Sequence, residues 1–158
     1  MNRPNSVEDL APRLPAKGRL IGVDLGAKTI GLALSDVERR LASPLKTLAR
    51  GAFQKDADAL LALFAEFEIV AVVLGLPLDL EGRDGPRAQS TRAFARNLAA
   101  RTDVPIAFWD ERFSTAVVTR SLIDNDVSRA KRAKVVDKMA AAYILQGALD
   151  RLANLGRD

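Results

Sequence analysis

Six consecutive residues constrain the fold most: Ile69-Val70-Ala71-Val72-Val73-Leu74. The run is rich in β-branched residues and apolar at every position. It therefore suits a strand buried on both faces, as in a parallel sheet covered by helices. It directly follows residues 54–68, where Ala57, Leu60, Leu61 and Phe64 recur at i, i+3, i+4 and i+7. That spacing is the period of an amphipathic helix. Pro77 ends the strand. A helix leading into a doubly buried strand predicts an α/β domain.

The rest of the chain extends this pattern. Leu20-Ile21-Gly22-Val23-Asp24 is a second central strand, Leu25-Gly26-Ala27-Lys28 its turn, and 29–35 an alternating partner strand. A short third strand is expected at 45–48. Residues 80–86 form a turn-rich loop, and 87–101 a helix with Phe94, Ala95 and Leu98 inward. A strand follows at 104–109. Ser114 caps a helix to about residue 123, 124–134 is a polar, basic connection, and 135–155 is a long final helix. The order predicts a mixed five-stranded sheet flanked by helices, with its first three strands antiparallel and its later strands parallel. Residues 1–18, with Pro4, Pro12, Pro15 and Gly18 among charges, read as a flexible tail, and 19–155 as a single domain.

Composition narrows the chemistry. The 158 residues contain no Cys and no His. That excludes zinc fingers, disulfide scaffolds, thiol nucleophiles and Ser-His-Asp catalysis. The N-terminus lacks the apolar core of a signal peptide, and the longest apolar run, 69–78, is far short of the ~20 residues a membrane span needs. Together with the absence of Cys, this predicts a cytoplasmic protein with no membrane partner. Residues 1–82 carry 10 basic and 11 acidic side chains, and residues 83–158 carry 14 and 9. A basic second half suits an anionic partner such as nucleic acid.

Three acidic positions stand out. Asp24 ends a central strand, where open α/β sheets gather their ligand sites; an Asp at a turn is the plainer alternative. Asp110 and Glu111 end the 104–109 strand ahead of a helix start, and adjacent strand residues point to opposite faces, so one of the two meets Asp24. Asp137 heads the inward stripe of the final helix, which continues through Ala141, Ile144, Ala148 and Leu152. A carboxylate on that line is costly unless paired or metal-bound, although the first turn of a helix also welcomes an acid. Converging carboxylates repel, and a hard divalent cation, Mg²⁺ or Mn²⁺, removes that repulsion. Without His or Cys, such a metal site is among the few catalytic sites available. Candidate substrate contacts are Lys28 in the first turn, Arg112, Ser114 and Thr115 near a helix N-terminus, and the basic run Arg129, Lys131, Arg132 and Lys134. The 69–74 strand carries no acid; the nearest is Asp79, beyond Pro77.

Four blocks in order resemble the YqgF/RuvX family: IGVDLGAKTIGLALSD, VVLGLPLDLEGRDGPRAQSTRAFARNL, FWDERFSTAVV and KVVDKMAAAYILQGALD. The family consists of RNase H-like proteins related to the RuvC Holliday-junction resolvases. The resemblance implies an RNase H-like fold and a nuclease that processes the 5′ end of pre-16S rRNA in ribosome biogenesis. Holliday-junction cleavage and a non-catalytic RNA-binding role in ribosome assembly are the alternatives. It implies a catalytic and metal-binding set of Asp24, Glu111 and Asp137, choosing Glu111 over Asp110. The implied partner is precursor rRNA or branched DNA, and the protein itself is expected as a monomer or homodimer. An actin-like kinase, whose first hairpin also reads Asp-x-Gly, needs two such domains and a much longer chain.

Overall fold

The structure is a computed structural model that describes residues 2–113 and 129–156, with the side chains of 113 and 129–137 outside that description. Its elements are β1 (Asn5–Ser6), α1 (Val7–Leu10), a 3₁₀ turn (Ala11–Arg13), β2 (Arg19–Leu25), β3 (Thr29–Ser35) and β4 (Ala42–Ala49). They continue with α2 (Phe53–Glu66), β5 (Ile69–Leu76), α3 (Pro86–Ala99), β6 (Ile106–Asp110), a second 3₁₀ turn (Glu111–Phe113) and α4 (Arg129–Leu155). The expected helix from Ser114 lies outside the described residues.

One sheet has the order β1-β6-β5-β2-β3-β4. β2, β3 and β4 pair antiparallel, while β2, β5, β6 and β1 pair parallel. The mixed sheet is the one expected. The strands are apolar on both faces because each face has its own core. Ile21, Val23, Val72 and Leu74 join α2 and α3 on one side. Leu20, Ala71, Val73 and Ala107 join Ala141, Ile144, Leu145 and Ala148 of α4 on the other. The third strand is longer than expected and contains Pro44, which an edge strand tolerates.

Two glycines let α4 lie directly on the sheet. A Cβ on Gly22 would sit 2.7 Å from Leu145 Cβ and 2.9 Å from the Ala141 carbonyl oxygen, and one on Gly75 would meet the end of Ile144. The helix runs opposite to β2. Its C-terminal residues Leu149, Leu152 and Leu155 lie with Arg39 and Arg40 of the β3–β4 turn, at the amino end of β2. Its N-terminal end therefore lies toward the carboxyl ends of β2, β5 and β6.

Two expectations need correction. The sheet has six strands, and the sixth comes from the segment expected to be a free tail. β1 pairs Asn5 with Ala107 and Ser6 with Phe108, and the Ser6 hydroxyl caps α1 by accepting from the Asp9 amide at 3.1 Å. Val7 and Leu10, spaced i, i+3, are 1% and 0% exposed and enter the α4-side core. Prolines and charges mask these two apolar residues in the sequence. The final helix also begins earlier, at Arg129, so Arg129 to Lys134 are helical and do not form a connecting loop. Ala, Lys and Arg all have high helix propensity, which favours this extension.

Among the described residues no helix is long and apolar enough to cross a membrane. Leu10→Ala is expected to destabilise the fold by about 2–5 kcal/mol, as a core truncation does. Thermal melting checks this, because the same change in an undocked tail leaves the midpoint where it was.

Candidate active site at the carboxyl end of the sheet

Asp24 is the penultimate residue of β2 and only 1% exposed. Side chains alternate along a strand, so Asp24 shares the face of Gly22, the α4 side. The β2–β5 register pairs Val23 with Leu74, which places Asp24 beside Gly75 on the neighbouring strand. The site above Gly75 is taken by Glu111: a Cβ there would come 3.3 Å from Glu111 Cγ. Glu111 follows β6 directly and is 4% exposed. Two buried carboxylates thus enter the same face of the sheet from β2 and from the end of β6, the two strands that flank β5. The missing side chain at position 75 makes the room.

Asp110 and Arg112 flank Glu111 and bond to each other. Arg112 Nε donates to Asp110 Oδ1 and Oδ2 at 3.0 Å each, Nη2 donates to Oδ2 at 2.6 Å, and the Arg112 amide donates to Oδ1 at 3.0 Å. Burial alone pushes the Asp110 pKa up, but the Arg112 hydrogen bonds and charge outweigh it and hold the carboxyl below its usual range. The same hydrogen bonding raises the Arg112 pKa. Arg112 Nη1 also donates to the Leu80 carbonyl at 3.3 Å, tying the β5–α3 loop to the end of β6. Asp79 turns inward on that loop, accepting from the amides of Glu81 (2.9 Å) and Arg83 (2.8 Å) and from Arg83 Nε (3.1 Å). Asp110 and Asp79 are therefore engaged within the chain, and so is Arg112, expected at a substrate phosphate.

Lys28 is exposed in the β2–β3 turn. The turn is held by two arginines, Arg50 and Arg87. Arg50 donates from its amide to the Lys28 carbonyl (2.8 Å) and from Nη1 to the Gly26 carbonyl (2.7 Å). Arg87 Nη2 donates to the Leu25 carbonyl at 3.2 Å. The signal for Arg50 was hairpin register, since it follows Ala49, the partner of Thr29 at the tip.

Asp137 falls in α4, four residues before Ala141, and its side chain lies outside the description. The same holds for the side chains of Arg129, Lys131, Arg132 and Lys134, while Ser114 and Thr115 lie wholly outside the described residues. Asp24 and Glu111 are the expected acids that the described side chains place on one face, flanking Gly75. Their oxygen donors suit a hard divalent cation.

Known proteins share this sequence and fold. A 152-residue stretch is 61% identical to a protein of Methylocella silvestris, covering 96% of this chain and 94% of that one. A Rhodopseudomonas palustris protein is 61% identical over 94% of this chain and 93% of its own length. Both bear the provisional name "pre-16S rRNA nuclease". Among solved structures, the fold matches Thermus thermophilus RuvC bound to a Holliday junction substrate, with a TM-score of 0.53 at 14% identity, covering 86% of this chain and 96% of that one. The RuvX family, described as Holliday junction resolvase, matches residues 18–151, and the chain belongs to that family.

Proposed function

We propose that this protein is a metal-dependent endonuclease that hydrolyses phosphodiester bonds in precursor 16S rRNA. One observation supports the reading: Asp24 and Glu111, both buried, lie on one face of the sheet on either side of the side-chain-free Gly75, at the carboxyl end. Ligand sites in open α/β sheets collect at this end. The names of the relatives supply the substrate class.

Asp137 completes the proposed set. Ala141 lies beside Gly22, and one helical turn back along α4 advances about 6 Å toward the carboxyl end of the sheet. Two strand residues from Gly22 to Asp24 advance about the same distance. That spacing supports setting residue 137 level with Asp24 in the proposed site. Asp24, Glu111 and Asp137 would hold Mg²⁺ or Mn²⁺, which supplies a Lewis acid for the phosphoryl oxygens and lowers the pKa of bound water. The three carboxylates would fix where an attacking water sits by accepting its hydrogen bonds. Burial against α4 keeps bulk water from competing. The Asp110–Arg112 clasp brackets Glu111 on both sides and fixes the direction from which its side chain enters. Lys28, Ser114, Thr115 and the helical Arg129, Lys131, Arg132 and Lys134 are proposed contacts for the substrate backbone. Action on precursor rRNA places the protein in the cytoplasm.

Branched DNA is the second reading, favoured by the family description. Incubating the protein with precursor 16S rRNA and with a four-way DNA junction, in Mg²⁺ or Mn²⁺, separates the two. Metal-dependent cleavage confined to the rRNA supports the first reading, and cleavage confined to the junction replaces it with the second.

Asp24→Asn and Asp137→Asn are each expected to lower cleavage on the order of 100-fold or more while the fold survives. Melting in chelator should be unchanged or slightly raised, because removing one crowded carboxylate relieves repulsion. Arg112→Lys keeps the charge and loses the planar fork. It is expected to lower kcat by roughly 10-fold with little change in KM, as loss of an orienting partner does. Steady-state kinetics distinguish this from a direct phosphate ligand, for which KM rises and kcat holds.

A further inference from the structure

The N-terminal segment builds a second feature with α3. Asn2 Nδ2 donates to the carbonyls of Thr102 (2.8 Å) and Val104 (2.9 Å), pinning the start of the chain beside β6. Opposite, Arg92 and Arg96 sit one turn apart on α3, and Ala100 a turn further leaves space. Between these walls lies a cavity of about 590 Å³ floored by Phe108. Three of its lining side chains, Arg3, Arg92 and Arg96, are guanidinium groups, and none is a carboxylate. Arg92 reaches out to Asp84 at 2.6 Å and lies 5.2 Å from the centroid of the Phe108 ring. Arg3 and Arg96 are exposed and form no ion pair among the described residues. Asn2 and Arg3 also lie outside the family match, which begins at residue 18.

Like charges lining one concavity raise the local potential and draw in an anion. We infer that the Arg3–Arg92–Arg96 cavity binds backbone phosphates of the nucleic-acid substrate, away from the scissile bond. The inference takes its ligand from the nuclease reading. Continuity with the candidate active site supports it. A neighbouring groove of about 960 Å³ shares Pro4, Arg92 and Phe108 with the cavity and extends to Asp110, adjacent to Glu111. Glu8, Asp9, Asp110 and Asp150 also line that groove, so phosphate capture concentrates at the arginine end. Arg92 covers the Phe108 ring, so recognition is by charge, without base stacking, and tolerates any sequence.

The test uses the full chain and a labelled single-stranded RNA of mixed sequence, with binding measured by anisotropy at several salt concentrations. Arg3→Gln combined with Arg96→Gln is expected to raise Kd roughly 3- to 10-fold and to lower the log–log salt slope by about 0.7 for each phosphate no longer neutralised. Melting should match the wild type, since both side chains are exposed. Lysine at both positions should restore most of the binding, because the charge is what counts. If the wild type binds the RNA and the glutamine variant matches its Kd and slope, the cavity is not a phosphate site and the carboxylate reading stands. If the wild type neither binds nor cleaves nucleic acid, the nuclease reading falls and this inference falls with it.

Discussion

Close packing of α4 on the sheet organises the molecule. Two strand positions, Gly22 and Gly75, have no side chain, and the helix occupies the space. That packing buries Asp24 and forms the α4-side core through Ala141, Ile144 and Leu145. Gly75 also admits the stem of Glu111, so one small residue serves both packing and the carboxylate pair. A methyl group at either position forces the helix outward, and a core packed to crystal-like density absorbs such a shift poorly.

Two carboxylates buried together are costly in themselves. The fold restrains them from several directions. Asp24 is fixed by strand register, and the turn beyond it is strapped by Arg50 and Arg87. Glu111 is bracketed by Asp110 and Arg112, whose guanidinium also reaches the β5–α3 loop. The rigidity lies in backbone and ion-pair geometry, which suits a site that must hold charge in place.

Features with a local signature were legible in the sequence. The β5 run follows from an unbroken β-branched apolar stretch, β3 from its alternation and the inward stripe of α4 from a period of 3.6, each read over a few residues. Asp24 was legible as a strand-end residue, while the second strand end left Asp110 and Glu111 open and the family resemblance chose Glu111. What was hidden depends on long-range pairing. β1 is two residues long and exists only because β6 offers an edge about a hundred positions away. Arg112 reads from sequence as a phosphate ligand or a neighbour's counter-charge, and only the folded β5–α3 loop shows its bonds to Asp110 and Leu80. The Arg3–Arg96 cavity requires both the docked N-terminus and the α3 register, neither of which a single segment reveals.

Crystals grown with Mn²⁺ test the central claim most directly, through anomalous difference density at the manganese edge. At least one ion is expected, coordinated by both Asp24 and Glu111 on the α4 side of Gly75, with no such peak in crystals of Asp24→Asn. Manganese bound only elsewhere, with Asp24 and Glu111 joined to protein donors instead, would contradict it.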